Sequence, residues 1–378
     1  MIDGEHCSDS SVPLRVAALV EQFWHRIPGG TARATEETLS ALIAAGSVEP
    51  KLISAWHRSS EGHRAPPALR PVTTIPLPRP ALYEAWTRLD RPTVERWVGP
   101  VDVAWASSMI PIASRAPLVA TVHDLEFLAN PQLNSARGRA FFPRVWEATK
   151  DRAAMIVCPS QVVADECAVN GVDTSRLRVV PWGVRPPICP SEAAGRVAAE
   201  LGLPDSFVLW VGTVEPRKNL PRLVEAMGLL GDDLALAVVG PDGWDVDGED
   251  LLAPLGARVH RLGRVDEYEL SALYRSATVF ALPSLAEGFG LPVLEAMAHG
   301  TPVVTSRGTA TEEVAGDAGV LVDPTDPASI AAGIEAAASG DTTTLQRIER
   351  GVTRAGQLTW EHTAARYAEI FEAVAGRR

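Results

Sequence analysis

The sequence predicts an α/β protein made of two successive doubly wound, Rossmann-like halves, and three observations carry that reading. A strand, a glycine-bearing loop and a helix open the chain between about residues 14 and 45. A proline-dense break, Arg185-Pro186-Pro187-Ile188-Cys189-Pro190, falls at the middle. The same strand-to-helix pattern then restarts at Phe207. Short apolar strands alternating with helical segments indicate parallel sheets, because parallel neighbours need a helical crossover between them.

The bulk properties agree. A chain of 378 residues suits two domains better than one, since a single core stops growing before that length. Hydrophobic residues make up 46% and charged residues 22%, enough to build a large core and too ordinary for a disordered or fibrous chain. The net charge of -12 argues against nucleic acid, whose binding rests on a basic footprint, and it is not expected as a partner. No uninterrupted apolar stretch is long enough for a spanning helix, and Met1-Ile2-Asp3-Gly4-Glu5-His6 lacks the basic-then-apolar order of a secretory leader, so the expected location is cytoplasmic. Cys7, Cys158, Cys167 and Cys189 show neither a CxxC pair nor a metal-like spacing and read as reduced, buried thiols.

Taken in order, residues 1–12 read as a flexible polar tail and residues 13–185 as the N-terminal domain. Its strands are expected at 14–20, 101–106, 118–122, 155–158 and 177–181, with an irregular Pro-rich stretch around 65–80. Prolines remove backbone donors and disfavour helix in the preceding residue, which places the linker at 185–190. The C-terminal domain, residues 191–356, has strands expected at 207–212, 234–239, 258–262, 278–282, 302–305 and 319–322. Residues 357–378 hold a last helix whose apolar face, Ala365, Ala368, Ile370, Phe371 and Val374, packs back across the N-terminal domain. Arginines between residues 137 and 152 lie near Phe141, Phe142 and Trp146; a solvated helix face explains them, and a weak peripheral contact at the inner face of a membrane is the second reading.

The densest chemical pattern is Ser284-Leu285-Ala286-Glu287-Gly288-Phe289-Gly290-Leu291-Pro292-Val293-Leu294-Glu295. Pro292 fits the first turn of a short helix, and Gly288 and Gly290 precede it. Exposed amides at a helix start, with glycines permitting close approach, suit a diphosphate. A carboxylate beside a phosphate is repelled, so each glutamate has to face a hydrogen-bond donor. Sugar hydroxyls qualify: Glu295 can accept from neighbouring ribose hydroxyls and Glu287 from those of a transferred sugar. Solvated glutamates on an ordinary strand-to-helix turn are the competing reading.

A second segment, Gly212-Thr213-Val214-Glu215-Pro216-Arg217-Lys218-Asn219, follows the first strand of the second half, where the ends of strands face the ligand crevice. There Lys218 can stabilise charge growing on a departing diphosphate. A surface Arg-Lys pair is the plain alternative, and neighbours on a turn often point apart. In the first half, Thr121-Val122-His123-Asp124-Leu125 ends a strand in a histidine, and Asp124 reads as a loop or capping residue. Asp245-Val246-Asp247 lies in a glycine-rich acidic stretch with nothing to hold both carboxylates on one cation, and His57 and His63 make no metal spacing, so no metal is expected.

Glu287 and Glu295, with seven residues between them, resemble the E-x7-E motif of retaining family 4 glycosyltransferases of GT-B fold, two Rossmann-like domains facing across a cleft. Gly263-Arg264-Val265-Asp266, Leu270-Ser271-Ala272-Leu273-Tyr274, Gly300-Thr301-Pro302-Val303-Val304 and Trp360-Glu361-His362-Thr363-Ala364 are similar to segments of that family, so the likeness spans nearly the whole chain.

The resemblance implies a hexosyltransferase with Glu287, Lys218 and His123 as catalytic residues, His123 reaching the donor sugar. It implies a donor site of Gly29, Gly30, Thr213, Arg217, Lys218, Val265, Glu287, Gly288, Phe289, Gly290, Leu291 and Glu295. Thr213 stands where the family carries an arginine, and Arg217 is the substitute. No cofactor or metal is implied beyond a nucleotide diphosphate sugar, GDP-mannose first and UDP-sugars next. The acceptor, a glycan, a lipid-linked sugar or a small molecule, is not legible. A sugar-nucleotide epimerase on the same scaffold and a non-catalytic nucleotide-sugar-binding protein are the competing functions.

Overall fold

The computed structural model describes residues 12–25, 29–58, 65–131, 136–243 and 248–376. Residues 1–11 of the expected tail, with Cys7, together with Pro28, His63 and Asp245-Val246-Asp247, lie outside them. Two parallel sheets organise the rest. The first contains β1 (Leu14–Leu19), β2 (Val48–Trp56), β3 (Thr73–Pro78), β4 (Val103–Ala106), β5 (Leu118–Thr121), β6 (Ala153–Cys158) and β7 (Leu177–Val179), in the order β3-β2-β1-β4-β5-β6-β7. The second contains β8 (Phe207–Val211), β9 (Ala235–Val239), β10 (Val259–Gly263), β11 (Val279–Leu282), β12 (Val303–Ser306) and β13 (Val320–Val322), in the order β10-β9-β8-β11-β12-β13.

Both orders reverse beside the first strand of their half, between β1 and β4 and between β8 and β11, and ligands of such sheets bind at the carboxyl ends of strands flanking that point. The central strands are apolar but for Thr121 at the end of β5 because helices cover both faces; β4, β5, β9 and β11 are buried at every position.

Two strands correct the sequence reading. The stretch around residues 65–80, expected to be irregular, contains β3, which pairs with β2 on the outer edge of its sheet. An edge strand tolerates Pro76 and Pro78 because its outer row of backbone groups has no ladder to complete. β2 was hidden by Pro50, which lies in the part of the strand that β3 does not reach; the pairing with β3 begins at Ile53.

The aromatic side of the expected membrane contact is also corrected. Helix Ala136–Arg152 buries Trp146 in the N-terminal core, while Phe141 stacks on Tyr83 and Phe142 packs on Phe127. Arg144 pairs with Glu84 at 2.9 Å and Arg152 with Asp90 at 2.5 Å. The helix turns its aromatic stripe inward because helix Arg79–Leu89 lies against it. Among the described residues no helix is long and apolar enough to cross a membrane. Cys158, Cys167 and Cys189 are buried free thiols.

The chain crosses between the halves twice. After β7 it runs without regular structure through residues 180–190 to helix Ser191–Glu200. It returns as helix Trp360–Val374, which places Ala364, Tyr367, Ile370 and Phe371 in the same buried cluster as Leu14, Val16, Leu39 and Trp105. Tyr367 Oη lies 2.9 Å from Thr121 Oγ1 on β5. The two crossings touch at Gly183, where a Cβ would overlap the Trp360 backbone, and Val184 N–H donates to the Leu358 carbonyl.

Candidate active site

The loops after β8 and β11 are stitched into one structure. Asn219, left-handed at φ 58°, donates through Nδ2 to the carbonyls of Pro283 (2.8 Å) and Pro324 (2.7 Å). Leu285 N–H donates to the Arg217 carbonyl at 2.8 Å. An asparagine tolerates that backbone where most side chains would be strained. The stitching holds the turn Pro216–Lys218 so that both of its cations aim at one carboxylate.

Lys218 Nζ lies 2.5 Å from Glu287 Oε1, and Arg217 Nη1 lies 2.7 Å from Glu287 Oε2. Ser284 Oγ donates to Oε1 at 2.8 Å, and Arg217 Nε also pairs with Glu215 at 2.7 Å. The two basic residues therefore converge rather than point apart, which overturns the doubt that attached to neighbours on a turn. Burial by itself would push the Glu287 carboxyl up, but the adjoining charges of Lys218 and Arg217 and their hydrogen bonds outweigh it and hold the group at about 2. Burial likewise pulls the Arg217 guanidinium down, and Glu287 and Glu215 more than reverse that.

Gly288, Phe289 and Gly290 lead into helix Leu291–Ala298. Gly290 has φ 102°, and a Cβ there would meet Thr311 Cγ2 at 2.6 Å, so the position requires glycine twice over. Gly288 faces the other half: a Cβ would overlap the His123 carbonyl oxygen, and its own carbonyl accepts from Ser160 Oγ at 2.8 Å. Phe289 and Leu291 are buried. Phe289 packs on Trp182 at 5.3 Å between ring centres, and Trp182 meets His123 edge-on at 5.6 Å.

His123 Nε2 lies 2.8 Å from the Ser107 carbonyl. A carbonyl only accepts, so Nε2 carries the hydrogen of that bond and the neutral ring keeps a lone pair on Nδ1. Among the described residues that buried Nδ1 has no hydrogen-bond partner. Burial lowers the imidazole pKa, which the Ser107 bond only partly opposes, so the ring is neutral. Asp124 accepts from Glu126 N–H at 3.3 Å, a loop-holding contact.

Glu295 stands apart from this cluster. It is buried and shares no partner with Glu287: Tyr274 Oη donates to Oε2 at 2.8 Å, and Arg33 Nη1 from the N-terminal half pairs with Oε1 at 2.6 Å. Burial raises its carboxyl above the ordinary range, against the pull of Arg33 and Tyr274. Gly29 caps helix Gly30–Ala44 with nothing within 4 Å of a Cβ built there, and Gly30 faces Trp182. Thr213 is half-buried at the end of β8, where its methyl lies near Gly243. Val265 is partly buried and packs on the C-terminal core.

Sequence reasoning missed Arg33, Tyr274, Ser160 and Glu215. Arg33 had a legible sign, its place in the first helical turn after Gly29-Gly30. Glu215 had one too, its place two residues before Arg217, with which it pairs; Ser160 had none, since its partner Gly288 lies far along the chain.

The family model described as Glycosyl transferases group 1 matches residues 196–353, and that of Glycosyltransferase Family 4 matches residues 28–186. O-antigen chain mannosyltransferase B of Escherichia coli is 32% identical over 260 residues, covering 65% of this chain and 67% of that protein. D-inositol 3-phosphate glycosyltransferase of Corynebacterium efficiens is 31% identical over 289 residues, covering 68% of this chain and 66% of that protein. The matched part spans about two thirds of these relatives. The solved sucrose-phosphate synthase of Thermosynechococcus elongatus superposes with a TM-score of 0.76 over 97% of this chain and 100% of that one, at 22% identity, a likeness of fold. With both halves matched and both sheets in this arrangement, the chain belongs to the family 4 glycosyltransferases of GT-B fold.

Proposed function

We propose that this glycosyltransferase moves a hexosyl group, with retention of configuration, from a nucleoside diphosphate sugar to an acceptor hydroxyl in the cleft. The observation that carries the reading is the convergence of Lys218 and Arg217 on Glu287, in a glycine loop that touches His123. Glu287 is the counter-anion of both cations. A donor diphosphate seated at the start of helix Leu291–Ala298 takes over part of that role, drawing Lys218 Nζ onto its oxygens as charge grows on the leaving group. Arg217 supports the same charge in place of an arginine at Thr213. Glu287 then accepts from hydroxyls of the transferred sugar, and His123 Nδ1 accepts from another. Gly29 and Gly30 leave room for the phosphates, Glu295 receives the ribose hydroxyls, and the backbone around Val265 meets the base.

A carboxylate held by two cations and Ser284 is a poor covalent nucleophile, which favours a front-face route in which the leaving phosphate helps deprotonate the acceptor. The mannosyltransferase relative supports mannose as the sugar and GDP-mannose as the first donor to try, ahead of UDP-sugars. The inositol phosphate glycosyltransferase relatives support a small phosphorylated polyol as one acceptor to set beside glycans and lipid-linked sugars. We place the protein in the cytoplasm, with a weak peripheral membrane contact assigned to the exposed Arg137 and Arg139 of helix Ala136–Arg152.

The test is a thermal-shift panel of GDP, UDP, dTDP and ADP, followed by acceptor-dependent release of the matching diphosphate. A ligand at a hundredfold its Kd stabilises by about 2.7 kcal/mol, so GDP should raise Tm by several degrees. A flat response to all four nucleotides overturns the reading.

A further inference from the structure

We infer that Arg33 is a positioning residue that keeps the Glu295 carboxylate charged and aimed from across the cleft, so that nucleoside diphosphate binding depends on a side chain of the N-terminal half. The inference rests on the donor-binding role proposed for Glu295.

Glu295 is 6% exposed. A carboxylate buried that deeply keeps its charge only with a paired cation. Among the described residues its own half provides none in contact: Tyr274 is a neutral donor, and His299 spends Nδ1 on the Glu295 carbonyl and Nε2 on Ser271 Oγ. Burial and the nearby cations Arg275 and Arg33 keep the His299 imidazole pKa low. Glu267 opposes the charge on Glu295 and Arg185 favours it from farther away. The contacting cation is Arg33, from the first turn of helix Gly30–Ala44 in the other half.

Two features make this contact more than a fortuitous bridge. A carboxylate offers about four acceptor positions, of which Arg33 and Tyr274 use two, leaving two for a vicinal pair of hydroxyls. A cavity of about 70 Å³, lined by Arg33, Arg185, Ile188, Glu267, Tyr274 and Glu295 among others, opens beside them. One turn along the same helix face, Glu37 pairs with Arg185 of the linker, and Arg185 also holds Glu267 at 3.0 Å. That second bridge keeps the helix in register with the C-terminal half.

Burial raises the Glu295 carboxyl and Arg33 opposes the rise. Without Arg33 the group titrates at higher pH, so binding that needs the carboxylate is lost earlier as pH falls.

The experiment is calorimetric titration of the full chain with GDP and with UDP between about pH 8 and pH 5.5, chosen to span raised carboxyl values. Wild type, Arg33→Gln, Arg33→Lys and Glu313→Ala are compared. Glu313 accepts from Gln161 N–H at 2.8 Å across the cleft and does not touch Glu295, so its loss loosens closure alone. Arg33→Gln should weaken binding about tenfold at neutral pH, equivalent to ~1.4 kcal/mol, with the gap widening on acidification. Arg33→Lys should restore most of it, and Glu313→Ala should show no widening. An Arg33→Gln profile that overlays wild type, or a Glu313→Ala profile that widens equally, overturns the inference. Wild type that binds none of the nucleotides removes the donor reading itself and the inference with it.

Discussion

Glu287 and Glu295 bracket one loop and helix start, yet they are charged by opposite means. Glu287 draws both of its cations, Lys218 and Arg217, from its own half and is held at about 2. Glu295 draws Arg33 from the far side of the cleft, and its carboxyl is raised. The difference teaches that the C-terminal half assembles the charge cluster around Glu287 from its own residues, whereas the Glu295 pair is completed only by Arg33 of the N-terminal half. A buried charge compensated within one rigid unit is permanent; one compensated across a cleft is conditional on closure.

The largest effect that can break this contrast is at Glu287. Glu287→Gln should lower turnover by about 10³, the scale of losing a placed electrostatic partner, while circular dichroism reports an intact fold. Near-normal turnover would remove Glu287 from the chemistry. The same variant sharpens the electrostatic half of the argument. The folded carboxyl lies at about 2 against an ordinary 4.5, so its stabilisation is present above 4.5 and is lost as pH falls towards 2. Acid unfolding of Glu287→Gln should therefore be shallower in that window, and an unchanged slope contradicts the pairing.

A middle effect is expected at the seam. Gly288→Ala drives a methyl into the His123 carbonyl and pushes the halves apart while leaving each sheet whole. Turnover should fall by about 10², as for a misplacement of about 1 Å, with the loss in kcat rather than in diphosphate affinity. Equal losses of both would mean that the seam also builds the diphosphate site. The smallest effect is at His123→Ala, which removes one acceptor for a sugar hydroxyl. Donor kcat/KM should drop about tenfold, the worth of a single hydrogen bond, with affinity for the free nucleoside diphosphate unchanged. Weakened binding of the sugar-free nucleotide would place His123 on the phosphates instead.

Much of the C-terminal site was legible because it is local. Glu215, Arg217, Lys218 and Asn219 fall within one turn, and Ser284, Glu287, Gly288, Gly290 and Glu295 within one loop and short helix, so spacing along the chain already implied proximity in space. The N-terminal half contributes single residues, Arg33, His123, Ser160 and Trp182, from the ends of different elements, and no spacing rule links them. The fold followed the same divide. Strands covered on both faces announced themselves as apolar runs, whereas β2 and β3 carried prolines that read as breaks until their places in the sheet were known. Trp146 near a row of arginines suggested a surface, and only packing against helix Arg79–Leu89 turned it inward.

By itself, the order of residues determined the two α/β halves, the break between them, and the glycines and glutamates around the start of helix Leu291–Ala298, because each rests on backbone preference or on neighbours within a turn or two. Tertiary structure alone decided which cation serves which glutamate, that Arg217 and Lys218 converge, and that Gly288 must be bare where His123 meets it. Those are relations between atoms far apart in sequence, fixed by how two sheets and a returning helix pack, and a charge partner reached through space leaves no period in the chain that carries it.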